Sequence, residues 1–230
     1  MRPHAPPPQG RRPSGFTLVE VLVALSIMAV IAIMSWRAID GMARAQQTTD
    51  EYTDGVLSLQ AALGQWRADL DAMMVWPATT PPSPAAPVSL LWDGRMLRIT
   101  RSVSGNAAAG VEVAAWTRRG GDGAWMRWQS APVQTMAAWR AAWSAAANWS
   151  GAGASGANAQ AVTVAHALDW QLQYFRNNAW TNPLSSAAES STQTDVLPDA
   201  VRLLITLAPG QAISGLLTID WIRPTFGGTP

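Results

Sequence analysis

Side chains that could do chemistry are few in this 230-residue chain, and their spacing is poor for it. Past the N-terminal segment, His166 is the one histidine, with Asp169 three residues on. Such a couple can activate a serine, but the serine must then sit on a sharp Gly-x-Ser-x-Gly turn, and Gly153-Ala154-Ser155-Gly156 misses that spacing. A lone histidine in a strand or turn is expected to be structural. No cysteine is present, so one histidine cannot complete a zinc set. Asp50, Glu51 and Asp54 share a helical turn and can be drawn around a divalent ion, yet the acidic loop pattern that holds calcium is missing. Charge on the outer face of a helix is ordinarily just solvated. Asp69 and Asp71 lie two apart, and on a helix they point to different faces. The glycine-rich turns lack both the strand–helix setting and the lysine of a phosphate loop. The expectation is no catalytic residue, no metal site, no cofactor and no enzyme.

One carboxylate stands apart. From Phe16 through Met34 the chain is apolar, and Glu20 is its only charge. As a helix that run is about 28 Å long, against about 30 Å for the hydrocarbon core of a bilayer. Arg11 and Arg12 precede it, which holds that end in the cytoplasm and places the chain beyond Arg37 outside the inner membrane of a bacterium. A carboxylate one turn inside such a span costs on the order of 2.5–3.5 kcal/mol to insert, so its presence asks for a function. A plain signal anchor accounts for the length but not for Glu20. A cleaved secretory signal needs a small-residue site just past the apolar run, and Ala43-Arg44-Ala45 lies too far on and contains a charge.

The elements that must position Glu20 are legible from periodicity. Tyr52, Val56, Leu59, Leu63, Trp66, Leu70 and Met73 recur at alternating steps of four and three, which is one apolar stripe on a helix. Asp50, Glu51, Asp54, Gln60, Gln65, Arg67, Asp69 and Asp71 are assigned to the other face. One long helix is therefore expected from about Phe16 to Met74, ended by Pro77, and its second stripe requires a covering sheet. Pro77, Pro81, Pro82, Pro84 and Pro87 form a stiff connector. The period then changes to two. Val88–Trp92, Asp93-Gly94 and Arg95–Arg101 read as a hairpin, and so do Val111–Thr117 and Ala124–Gln129 around Gly120-Gly121-Asp122-Gly123. Met136–Trp149 reads as a short helix, Gly151–Asn158 and Ser185–Thr194 as loops. Ala161–Ala165, Trp170–Phe175, Val201–Leu207 and Ile213–Ile222 read as strands.

The class is α+β: a long helix on an antiparallel β domain. Its segments are 1–15, 16–36 in the membrane, 37–76 as amphipathic helix, the connector 77–87, and the β domain 88–230. Thirteen Trp against three Phe and two Tyr point to aromatic packing, and Trp125 and Trp128, three apart in a strand, face opposite sides. A stacking surface for sugars or a protein partner is the competing use, and core packing is preferred because Trp is highly buried on average. All sixteen basic residues are scattered arginines, which leaves no nucleic-acid footprint. Without cysteine the exported domain must hold together by its core alone.

Gly15-Phe16-Thr17-Leu18-Val19-Glu20, after basic residues and before an apolar helix, resembles the type IV prepilin signature shared by type IV pilins and the pseudopilins of type II secretion. The resemblance implies that residues 1–15 are a leader and that a prepilin peptidase cuts between Gly15 and Phe16. Phe16 would become the N-methylated first residue and Glu20 the fifth, with a role in assembly. Loss of Arg2, Arg11 and Arg12 with the leader turns the formal net charge from +1 to −2. Tyr52…Leu59-Gln60…Leu63…Trp66-Arg67…Asp69-Leu70, Leu172-Gln173-Tyr174-Phe175 before Trp180, and Leu197-Pro198-Asp199-Ala200-Val201-Arg202 are similar to segments of J-type minor pseudopilins. That resemblance implies a structural subunit at the tip of a periplasmic pseudopilus that supports export of folded proteins. Its implied partners are I-, K- and H-type minor pseudopilins, the major pseudopilin, the peptidase and inner-membrane lipid. The alternatives are a minor type IV pilin of W or V type, whose frequent C-terminal cysteine pair is missing here, and a membrane-anchored periplasmic binding module.

Overall fold

A computed structural model describes residues 15–76, 89–103, 110–149, 161–187 and 197–224. The expected leader up to Ser14, the connector 77–87, the loop 151–158 and residues 188–194 of the polar loop lie outside the described residues. The chain divides into two compact units, residues 1–50 and 51–230.

The first unit contains the N-terminal part of α1 (Leu18–Asp71), a 54-residue helix. All of its described residues are exposed, including Leu22, Leu25, Ile27, Val30, Ile31 and Ile33, so an apolar surface runs around the helix. Water does not tolerate a helix apolar on every side, whereas lipid does. Among the described residues this is the one helix long and apolar enough to cross a membrane.

In the second unit the chain forms β1 (Leu90–Trp92), β2 (Met96–Ser102), β3 (Val111–Arg118), β4 (Ala124–Gln129), α2 (Met136–Asn148) and β5 (Ala161–Arg176). After these come β6 (Ala179–Thr181), α3 (Pro183–Ala187), β7 (Ala200–Leu207) and β8 (Gly215–Ile222). The strands make one antiparallel sheet in the order β1-β2-β3-β4-β5-β7-β8, with β6 paired to β5. Both expected hairpins are present. Asp93 builds the first turn by accepting the backbone N–H groups of Arg95 (3.0 Å) and Met96 (2.8 Å), while Gly94 takes φ +88°, a left-handed conformation that suits glycine. Thr135 caps α2 by accepting the N–H of Ala138 at 3.2 Å.

Two apolar layers enclose the sheet. On one face Leu59, Ala62, Trp66 and Leu70 of α1 pack against Trp92, Trp116, Trp125 and Trp170. On the other face Trp139, Ala146 and Trp149 cover Met96, Val111, Val113, Ala115 and Trp128. Trp125 and Trp128 are thus both core, on opposite faces, as their spacing requires.

Several expectations need correction. The buried face of α1 is Leu59, Ala62, Trp66, Asp69 and Leu70, so it is rotated toward Ala62 and Asp69, while Leu63 is only half-buried at its edge. Tyr52, assigned to the stripe, is 57% exposed, because burial starts only at Val56. Met73 is not helical: α1 stops at Asp71 and the chain pairs with β2 through a Met73–Arg101 bridge and a Met74 N–H bond to the Thr100 carbonyl, 3.1 Å. The two strands expected at 161–165 and 170–175 are one strand, β5, whose register shifts between Ala167 and Asp169 as its partner changes from β4 to β7. Residues 185–187, read as loop, belong to α3.

Candidate functional site

The N-terminal signature lies where the backbone enters α1. Gly15, Phe16 and Thr17 precede the helix, and Thr17 serves as its cap: its hydroxyl accepts the N–H of Glu20 at 3.3 Å. Thr17 and Glu20 stand at cap and third helical positions, the sequence pattern of a capping box. Phe16 is 84% exposed and Glu20 is exposed in the first helical turn, where a carboxylate favours the helix dipole. Nothing lies within 4 Å of a methyl group added at Gly15, so both sides of the Gly15–Phe16 bond are open within the described residues.

The carbonyl and amide of His166 are used in the backbone. Gln211 bridges them, accepting the His166 N–H at 3.0 Å and donating to its carbonyl at 2.6 Å. Asp169 accepts from Gln171 at 3.1 Å rather than from an imidazole. His166 lines a cleft of ≈ 350 Å³ with Glu51, Ser58, Gly55 and Gln211, and the Ser58 hydroxyl donates to the Val164 carbonyl at 3.5 Å. No nucleophile–base–carboxylate relay forms there among the described residues. Nor does any group of three or more histidine and carboxylate side chains come together to hold a metal ion among them.

The strongest electrostatic feature of the second unit was assigned to solvent by the helical pattern. Asp69 is fully buried, and its carboxylate collects donors from three adjacent strands. Arg127 of β4 binds it with Nε to Oδ2 and Nη2 to Oδ1, both 2.8 Å. Arg101 of β2 donates to Oδ1 at 2.9 Å, and the indole N–H of Trp116 in β3 donates to Oδ2 at 2.8 Å. Gln65, one turn earlier on α1, adds a bond of 2.9 Å. Arg127 passes the network on to Gln129 (2.7 Å), whose amide reaches Glu112 at 2.9 Å. Two arginines face two carboxylates, so the buried network is balanced. It fixes the rotation and height of the second-unit part of α1 on the sheet. Asp71 accepts the Trp221 indole N–H at 2.7 Å, a second tie from the last helical turn to the far edge strand β8. The signal available in the sequence was the frame Ala62–Trp66–Asp69, in which Asp69 comes one turn after the central tryptophan.

Similarity to known proteins takes three forms. The family described as "Prokaryotic N-terminal methylation motif" matches residues 10–36. Type II secretion system protein J of Klebsiella pneumoniae is 34% identical over 64 residues, 28% of this chain and 32% of that protein. The match thus spans about a third of the length of that relative. A chain in the crystal structure of the GspK-GspI-GspJ complex from the enterotoxigenic Escherichia coli Type 2 Secretion System aligns over 97% of its own length and 74% of this chain. That alignment has a TM-score of 0.47 and 14% identity.

Proposed function

We propose that this J-type pseudopilin-like chain is a structural, non-enzymatic minor pseudopilin, assembling with other minor pseudopilins at the tip of a periplasmic pseudopilus that supports export of folded proteins. The observation that carries this reading is the N-terminal signature: a basic segment, the open Gly15–Phe16 bond, and Glu20 on a helix whose apolar surface is exposed all round. The chain is then a single-pass protein of the bacterial inner membrane, with the second unit in the periplasm. Prepilin peptidase, lipid and the major pseudopilin are its further partners.

Processing makes the first expected outcome. Removal of residues 1–15 leaves an amine on Phe16, and Thr17 still caps the helix behind it. Mass spectrometry of membrane-extracted protein should find a chain beginning at N-methyl-Phe16. A chain beginning at Met1 or at Gln46 contradicts the proposal.

Glu20 carries the assembly step. In a low-dielectric setting neither the Phe16 amine nor the Glu20 carboxylate is stable alone. Pairing Glu20 of an arriving subunit with the amine of one already in place satisfies both and sets axial register, while apolar helix faces supply most of the association. Glu20→Leu removes one partner and strands the other. It should leave cleavage and insertion intact and reduce crosslinking to neighbouring subunits and secretion by about tenfold or more. Wild-type crosslinking and secretion at matched protein level would leave Glu20 as a residue of the headgroup layer only.

A further inference from the structure

The sheet ends at β8, whose eight residues pair with β7 on one side and with nothing on the other among the described residues. The opposite edge, β1, has only three residues. One step beyond the β7–β8 ladder the Arg223 N–H donates to the Asp199 carbonyl at 2.8 Å, which fixes the alternation of the bonds. Leu217, Ile219 and Trp221 therefore turn their backbone groups toward β7, while Leu216, Thr218, Asp220 and Ile222 turn theirs outward. No hydrogen bond reaches those outward groups among the described residues. Sheet edges are ordinarily blunted by proline, lysine, a bulge or a covering element. β8 contains neither proline nor lysine, and its register with β7 is unbroken. Its one charge, Asp220, is neutralised by a bidentate pair with Arg202 at 2.7 and 2.8 Å. Leu216 and Ile222, on the same face as Asp220, are 69% and 61% exposed.

We propose that β8 accepts an added strand from a partner protein, an extended and uncharged segment with an apolar residue at every second position. The backbone of that segment satisfies the outward N–H and C=O groups of β8. Side-chain alternation then sets its chemistry. On the α1 side it runs beside Leu217, Ile219 and Trp221, at the margin of the larger core, where apolar residues extend that core. On the other side it runs beside Leu216, Thr218, Asp220 and Ile222. An acidic residue there is repelled by Asp220, and a basic one competes with Arg202 for it. A second copy of this chain fits less well. Two β8 strands paired antiparallel are related by a half-turn about the normal to the sheet, so the second-unit parts of α1, which lie on the sheet, run in opposite directions. Subunits anchored in one membrane do not. This choice of partner rests on the membrane reading above, whereas strand addition itself does not.

The test uses the full chain, extracted in detergent, and two fluorescein-labelled peptides followed by anisotropy. One alternates threonine and valine and is kept soluble by a terminal polyethylene glycol. The other carries N-methyl groups on its threonine amides, the donors that face β8 when valine lies on the α1 side. The first should bind, and the methylated one should bind at least about fivefold more weakly. Thr218→Pro removes one outward N–H without touching the ladder to β7, and it should weaken the first peptide at least about fivefold. Thr218→Val keeps the backbone and should bind within about twofold of wild type. Circular dichroism checks that both variants fold, and if Thr218→Pro does not, the methylated peptide decides alone. Equal binding of the two peptides, or of neither, overturns strand addition, as does a folded Thr218→Pro chain that binds as wild type. Light scattering that finds wild-type dimers and Thr218→Pro monomers overturns the choice of partner in favour of a second copy. None of these results bears on a chain start at N-methyl-Phe16, so the two readings fail separately.

Discussion

Asp69→Ala should destabilise the second unit by about 3–5 kcal/mol, enough to remove a large part of the stability of an ordinary domain. Wild-type Asp69 accepts five hydrogen bonds at 2.8–2.9 Å, four of them from Arg101, Arg127 and Trp116 on three strands. Truncation leaves two guanidinium groups that are 14–15% exposed without their counter-charge and a buried indole N–H without an acceptor. The size of the loss comes from those stranded donors, since a buried ion pair as a whole contributes little beyond an apolar replacement. A triple variant, Asp69→Leu with Arg101→Met and Arg127→Met, should therefore recover most of the stability that the single change removes. Urea unfolding of the detergent-extracted chain, followed by tryptophan fluorescence, measures both. A single-variant loss under about 1 kcal/mol would mean that the strands and α1 hold their register without the carboxylate.

Trp66→Ala should cost about 3–5 kcal/mol by the same measurement. Trp66 is fully buried at the centre of the larger core, and its ring meets Trp116 at 5.5 Å and Trp170 at 6.5 Å, both edge-on, and Trp125 at 6.1 Å. Few small residues can move into a hole framed by three other indoles, so the cavity stays open. The Trp66 indole N–H is buried with no hydrogen-bond partner among the described residues, so its contribution there is packing. Trp66→Phe keeps most of that packing and discards the unsatisfied donor, and it should be far milder than Trp66→Ala. Leu63→Ala, at the half-buried edge of the same helix face, should cost on the order of 1–2 kcal/mol. If Leu63→Ala proves costlier than Trp66→Ala, the helix face is centred on the apolar stripe and not on Trp66.

Features that depend on neighbours in the chain were legible from the residues alone. An apolar run with one carboxylate, an Asp-Gly turn between alternating segments, and the Ala-rich stretch Met136–Trp149 each state their structure within a few residues. So the long helix, both early hairpins, α2 and the α+β class could be read before any fold was known. Contacts between residues far apart settled the rest. Periodicity gave α1 a polar face containing Asp69, because a carboxylate counts as solvated until its partners are known, and those partners lie 32, 47 and 58 residues away. The end of α1 moved from Met74 to Asp71 because the Met74 amide is taken by the Thr100 carbonyl of β2, a partner that no local pattern announces. Residues 166–169 read as a break between two strands, since the alternation fails there. In the fold that failure is a bulge inside one strand that passes from β4 to β7. Local chemistry selects the elements, and buried charge and strand exchange settle how they meet, since desolvation and hydrogen-bond satisfaction exist only once the surfaces are brought together.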